Sequence, residues 1–112
     1  MAKTICVKDK KTGKEYTLEF TRRSASVLEQ NGFELEGVTK KPMTMIPMLF
    51  RGAFLAHHSG TKGETIERIF EALRGRGELI KALCEMYYDA YATLLDEPED
   101  GDEGNEGWKI VE

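Results

Sequence analysis

Apolar and polar residues alternate along residues 3–9 and 15–20, so that Ile5 and Val7 share one face and Tyr16, Leu18 and Phe20 another. That period of two predicts two short strands. Between them lies Lys10-Lys11-Thr12-Gly13-Lys14, and Gly13 supplies the backbone freedom that a hairpin turn requires. A two-stranded hairpin is marginal in water by itself, so its apolar face must rest on helices.

The period then changes. Thr21 is placed to cap a helix over Arg22 to Gln30, with Ala25 and Leu28 inward and Asn31-Gly32 as its stop. Phe33 and Leu35 are expected to fold back onto that end. Ile46, Leu49, Phe50, Ala53, Phe54 and His57 fall at helical spacing and predict one central helix. Thr44 would be its N-cap and Pro47 would sit in its first turn. Thr61-Lys62-Gly63-Glu64 reads as a capping box, opening a helix that buries Ile66, Ile69, Phe70 and Leu73 and stops at Gly75. A last helix, from about Glu78 to Leu95, would bury Leu79, Ile80, Leu83, Tyr87, Ala90, Tyr91 and Leu94. The expected class is α+β: an N-terminal hairpin packed on a bundle of about four helices.

Length and charge refine this picture. A chain of 112 residues has room for one domain, placed at residues 1–95. Residues 96–112 carry eight acidic side chains against Lys109, a net charge of −7; the whole chain is at −4, which leaves +3 for the body. The tail therefore reads as a flexible, solvated acidic tether that ends in the apolar Trp108-Lys109-Ile110-Val111. Trp108, Ile110 and Val111 suit strand addition to a sheet edge, either the chain's own hairpin or a partner's sheet. No run approaches a signal peptide core or a membrane span, so a cytoplasmic protein is expected. Cys6 and Cys84 fit reduced thiols there.

Candidate chemistry is sparse. His57 and His58 are adjacent, and helical neighbours point about 100° apart, which suits no shared metal. His57 is expected to cap the apolar stripe and His58 to face solvent. Cys84 with His57 would be the one route to a nucleophile, but a small core cysteine is the simpler reading. No catalytic, cofactor-binding or metal-binding residues are assigned, and an enzyme is not expected. Lys8, Lys10, Lys11 and Lys14, with Arg22-Arg23 and Arg74-Gly75-Arg76, leave a nucleic-acid-binding regulator as the alternative. Met43, Met45 and Met48 offer an adaptable apolar surface for a protein partner, unless they belong to the core.

Several segments carry a resemblance. Lys14-Glu15-Tyr16-Thr17-Leu18-Glu19-Phe20-Thr21-Arg22-Arg23-Ser24, then Val27-Leu28-Glu29, Gly32-Phe33 and Lys41-Pro42-Met43-Thr44 belong to it. Leu49-Phe50-Arg51-Gly52-Ala53-Phe54-Leu55-Ala56-His57-His58, Leu95-Asp96-Glu97-Pro98-Glu99-Asp100 and Trp108 complete it. The chain resembles a family of small prophage proteins from tailed phages of Gram-positive bacteria, similar in size and make-up to phage tail assembly chaperones. The resemblance implies binding to the tape measure protein or to tail-tube subunits in the bacterial cytoplasm, with self-association a further expectation. It carries over no catalytic residue and no cofactor.

Overall fold

The computed structural model describes residues 3–95, Gly107 and residues 109–111. Strands β1 (Ile5–Lys8) and β2 (Glu15–Leu18) pair antiparallel, with Ile5 opposite Leu18 and Val7 opposite Tyr16. Val7, Tyr16 and Leu18 are buried while Cys6, Lys8, Glu15 and Thr17 are exposed, as the alternation requires. The turn is held by Asp9. Its amide donates to the Lys14 carbonyl, and its carbonyl accepts from Gly13, whose φ is +81°. Its carboxylate accepts from the Lys11 amide at 3.0 Å.

Helix α1 (Arg22–Gln30) begins and ends as expected. The Thr21 hydroxyl accepts from the Ser24 amide, and the Ser24 hydroxyl accepts from the Thr21 amide, so two orphan N–H groups are satisfied reciprocally. At the other end Gly32 has φ +99°, the Gly32 amide donates to Glu29 and the Phe33 amide to Leu28. That is a Schellman stop, with Leu28 and Phe33 both buried.

Six α-helices follow the hairpin in the described residues, against about four expected. The extra pieces are short: α2 (Gly37–Lys40) and α4 (Leu55–His58). Helix α3 (Pro42–Gly52) is central and packs on α1, α2, α5 (Gly63–Ala72) and α6 (Arg76–Ala92). A 3-10 turn over Thr93–Leu95 ends the body. The class is α+β, a hairpin on a helical layer, with one core running from Val7 through Phe50 and Phe54 to Ala90.

Three expectations about helix ends need correction. The long central helix is two helices, because the chain turns at Ala53-Phe54 and the Ala53 carbonyl accepts from the Glu19 amide at 3.0 Å. Its first residue is Pro42 rather than one after Thr44, and Pro47 lies in its interior. The carbonyl that Pro47 leaves without a helical donor belongs to Met43, and both residues are exposed, so water can satisfy it. Its buried residues are Met45, Leu49, Phe50 and Gly52, with Ala53 buried just past its end and Ile46 only half-buried. Thr61 is no N-cap: its hydroxyl donates to the His58 carbonyl at 2.9 Å, and α5 starts after Lys62 without a side-chain cap.

No described helix is long and apolar enough to cross a membrane.

Candidate functional site

The methionines at the start of α3 do not form one surface. Met43 is 89% exposed, Met48 is half-buried against the core, and Met45 is buried. Met45 is thus corrected to a core residue. It lies against Gly37, where a Cβ would come within 2.6 Å of the Met45 Cγ, and its sulfur accepts from the Glu34 amide at 3.5 Å. The short α2 approaches α3 that closely because Gly37 has no side chain. Of the C-terminal candidates, Ile110 and Val111 are exposed. Trp108 and the acidic stretch 96–106 lie outside the described residues.

A surface absent from the sequence reading lies at the end of α6. Tyr88, Tyr91, Leu94 and Leu95 are all exposed, although Tyr91 and Leu94 continue the core period and were expected inward. The inward positions are Leu83, Met86, Tyr87 and Ala90. The end of the helix is clamped from α1. Arg22 donates from Nε to the Thr93 hydroxyl at 2.8 Å and from Nη2 to the Thr93 carbonyl at 2.6 Å. The same hydroxyl donates to the Ala90 carbonyl at 2.6 Å. Tyr88 and Tyr91 rings lie 5.9 Å apart. Tyr91 also walls a shallow groove of about 440 Å³ with Tyr87, Glu29, Glu34 and Glu36. Burial pushes the Tyr87 hydroxyl above its ordinary pKa, and the nearby Glu29 carboxylate adds to the shift.

The histidines exchange their expected roles. His57 is exposed and its Nε2 lies 2.6 Å from the Glu19 carboxylate. His58 is half-buried, stands edge-on to Tyr16 at 5.0 Å, and its Nε2 accepts from the Thr17 amide at 2.9 Å. With the Ala53–Glu19 bond, these contacts cover the edge of β2 that faces away from β1. Edge amides left open would invite pairing with other chains. The bond to Thr17 requires the neutral ring with its proton on Nδ1. Partial burial lowers the His58 pKa, and the Lys14 and His57 charges add to this. A histidine whose folded pKa is depressed contributes its full stability above the ordinary value of 6.5 and loses it as pH falls below. Thermal melts should therefore drop between pH 7.5 and pH 5 by the worth of this hydrogen bond, about 0.5–1 kcal/mol on an exposed strand edge. A His58→Gln variant should show a smaller drop; an unchanged pH profile would remove His58 as the cause.

The basic residues do not converge on one patch. Lys8, Lys10, Lys11 and Lys14 are exposed around the turn, with Lys14 over the Tyr16 ring at 5.0 Å. Arg22 is engaged by Thr93, and Arg76 stacks on Phe70 at 5.2 Å. Arg68 donates to Asp9 at 2.7 Å. That pair ties the hairpin turn to α5, and the arginine holds the buried Asp9 carboxyl below the usual carboxylate range. Cys6 and Cys84 are free thiols. Burial, with Glu85 adding, pushes the Cys84 thiol up, opposite to what a nucleophile needs. Among the described residues no group of three or more His, Cys, Asp or Glu side chains is placed to hold a metal ion.

Fold and surface together define a small α+β protein whose hairpin packs on the helices through β2 and whose last helix carries apolar side chains into solvent. The chain belongs to the family described as Domain of unknown function (DUF5055), whose model matches residues 1–111. No curated protein and no solved structure matches it.

Proposed function

We propose that this chain is a chaperone-like binding protein of phage tail assembly, acting in the bacterial cytoplasm on the tape measure protein or on tail-tube subunits. The resemblance to small prophage proteins supplies the setting. The observation that carries a binding role is the exposed end of α6, where Tyr88, Tyr91, Leu94 and Leu95 sit together in solvent. Scattered apolar residues on a surface need no explanation, but Tyr88 and Tyr91 of α6 with Leu94 and Leu95 of the 3-10 turn after it make four within eight positions, and these form a patch. Tyrosine is among the side chains that most often anchor a protein interface.

The same patch suits a holdase. Its two tyrosines stand on α6, whose backbone is already ordered, and so cost little ordering on binding. Shallow grooves beside it, rather than a deep pocket, favour reversible contact with an extended partner over a small ligand. Met43 at the start of α3 adds a flexible apolar contact.

Co-expression with the tape measure protein and, separately, with the tail-tube protein of the same phage tests the proposal. The expected result is more soluble partner and a complex that survives affinity purification. If neither partner gains solubility nor co-purifies, the function is something else.

A further inference from the structure

We infer that the outer face of α6 seats a cationic amphipathic helix of a protein partner, an inference that rests on the protein-binding reading above and names its ligand. Ile80, Cys84, Tyr88 and Tyr91 follow one another in steps of four, four and three, which places them on one line along α6, and Leu95 follows in the 3-10 turn that ends it. Leu83, Met86, Tyr87 and Ala90 are buried in the core on another side. That outer line is covered at its start, where Ile80 and Cys84 pack against the core, and open from Tyr88 onward. The outer line passes from half-buried Ile80 and Cys84 to Tyr88 at 55%, Tyr91 at 55% and Leu95 at 81% exposed. At 1.5 Å per residue the line from Ile80 to Tyr91 is about 16 Å long, the length of roughly three helical turns of a partner.

Charge selects the occupant. On one flank α6 itself presents Glu78, Glu85 and Asp89, all exposed. Across Tyr91, Glu29, Glu34 and Glu36 line the adjoining groove. These six carboxylates outnumber the cations beside them: Arg22, which lines a groove with Tyr91 and Leu94 and keeps its charge when it bonds to Thr93, Lys3, 3.6 Å from Glu85, and Lys81, the one exposed cation within α6 beyond its first residue. An apolar line between two carboxylate rims matches a helix with an apolar stripe flanked by Lys and Arg. Such cations would also find the faces of Tyr88 and Tyr91. A second copy of this chain is disfavoured on the same ground, since two acidic rims would meet. The chain's own C-terminal end is a poor occupant as well: it follows a segment with seven of its eight tail carboxylates, and Ile110 and Val111 are exposed.

The test uses the full chain and two synthetic helical peptides of about 18 residues, long enough to cover the line. Both have the same Leu stripe; one has Lys flanks and the other Glu flanks. The Lys peptide should bind by calorimetry, more weakly as salt rises, and the Glu peptide should not. Tyr88→Ala with Tyr91→Ala should weaken it about tenfold or more, and Glu29→Gln with Glu34→Gln and Glu36→Gln should flatten the salt dependence. Circular dichroism checks that these surface variants remain folded. Equal binding of both peptides, or affinity unchanged by the tyrosine pair, overturns the inference. So does a dimer that the tyrosine pair dissolves, or tighter peptide binding in an Ile110→Ser, Val111→Ser variant, since each assigns the face to another occupant. Peptide binding without capture of either tail protein would sink only the assembly reading. Capture that survives the tyrosine substitutions would sink only this one.

Discussion

Replacing Phe54 by alanine is expected to remove about 3–5 kcal/mol of stability, the range for truncating a fully buried phenylalanine. Phe54 is 1% exposed and stands where the chain turns between α3 and α4. Its ring lies 5.4 Å from Tyr16 of the hairpin and 5.3 Å, edge-on, from Phe50 of α3; Phe50 in turn lies 5.0 Å from Phe70 of α5. This line of rings joins the hairpin to the helices. A domain of this size has about 5–15 kcal/mol in total, so the variant should be close to unfolding at 37 °C. Alanine would also leave a cavity that Tyr16 cannot close without pulling β2 from α4. Urea denaturation followed by circular dichroism measures the loss, with Phe54→Leu as the milder control. A loss below about 1 kcal/mol would mean that the hairpin is held elsewhere.

The contacts around Phe54 also mark where the sequence is legible and where it is silent. The hairpin follows from alternation at Ile5, Val7, Tyr16, Leu18 and Phe20, all local. Helix α1 follows from Thr21 and from Asn31-Gly32, because capping chemistry acts within a few residues. The break at Ala53 does not follow, because its cause is the amide of Glu19, more than thirty residues away. The same is true of Thr61, whose hydroxyl is drawn to the carbonyl of His58 once the chain has already turned there. Asp9 reads in sequence as the polar end of the first alternating segment; only the fold brings Arg68 of α5 to its carboxylate.

The candidate site was legible in part, and for the same physical reason. Helical periodicity assigns Tyr91 and Leu94 to the core because it assumes that a helix is covered along its whole length. The body ends sooner. The usable signal was the composition of α6: Ile80, Cys84, Tyr88 and Tyr91 form a second apolar line beside the one that fills the core, more than one buried face requires. Among the methionines, sequence could not tell Met45 from Met43. The distinction comes from Gly37, which opens a space that only Met45 is placed to fill.

A Gly52→Ala substitution is expected to destabilise the protein by about 1–3 kcal/mol, although alanine is the better helix former. Gly52 is the last residue of α3, and propensity alone would favour alanine there by about 0.5–1 kcal/mol. Packing reverses the sign. A Cβ at this position would stand 2.1 Å from Cδ1, 2.7 Å from Cδ2 and 2.9 Å from Cγ of Leu28. Leu28 has no free rotation to give: its side chain is buried, and its carbonyl accepts from the Phe33 amide at the α1 stop. The helices must therefore move apart. Gly37→Ala should be milder, since the atoms in its way belong to the flexible Met45, and Gly60→Ala, with nothing within 4 Å, should be close to neutral. Thermal melts of the three variants should rank in that order, and a Gly52→Ala protein as stable as the parent would refute the close approach. The displacement has a second consequence. Helix α1 carries Arg22, which clamps Thr93, and Glu29, which shares the groove with Tyr91. Pushing α1 off α3 should therefore loosen the end of α6, so that Gly52→Ala weakens binding at a face that it does not touch.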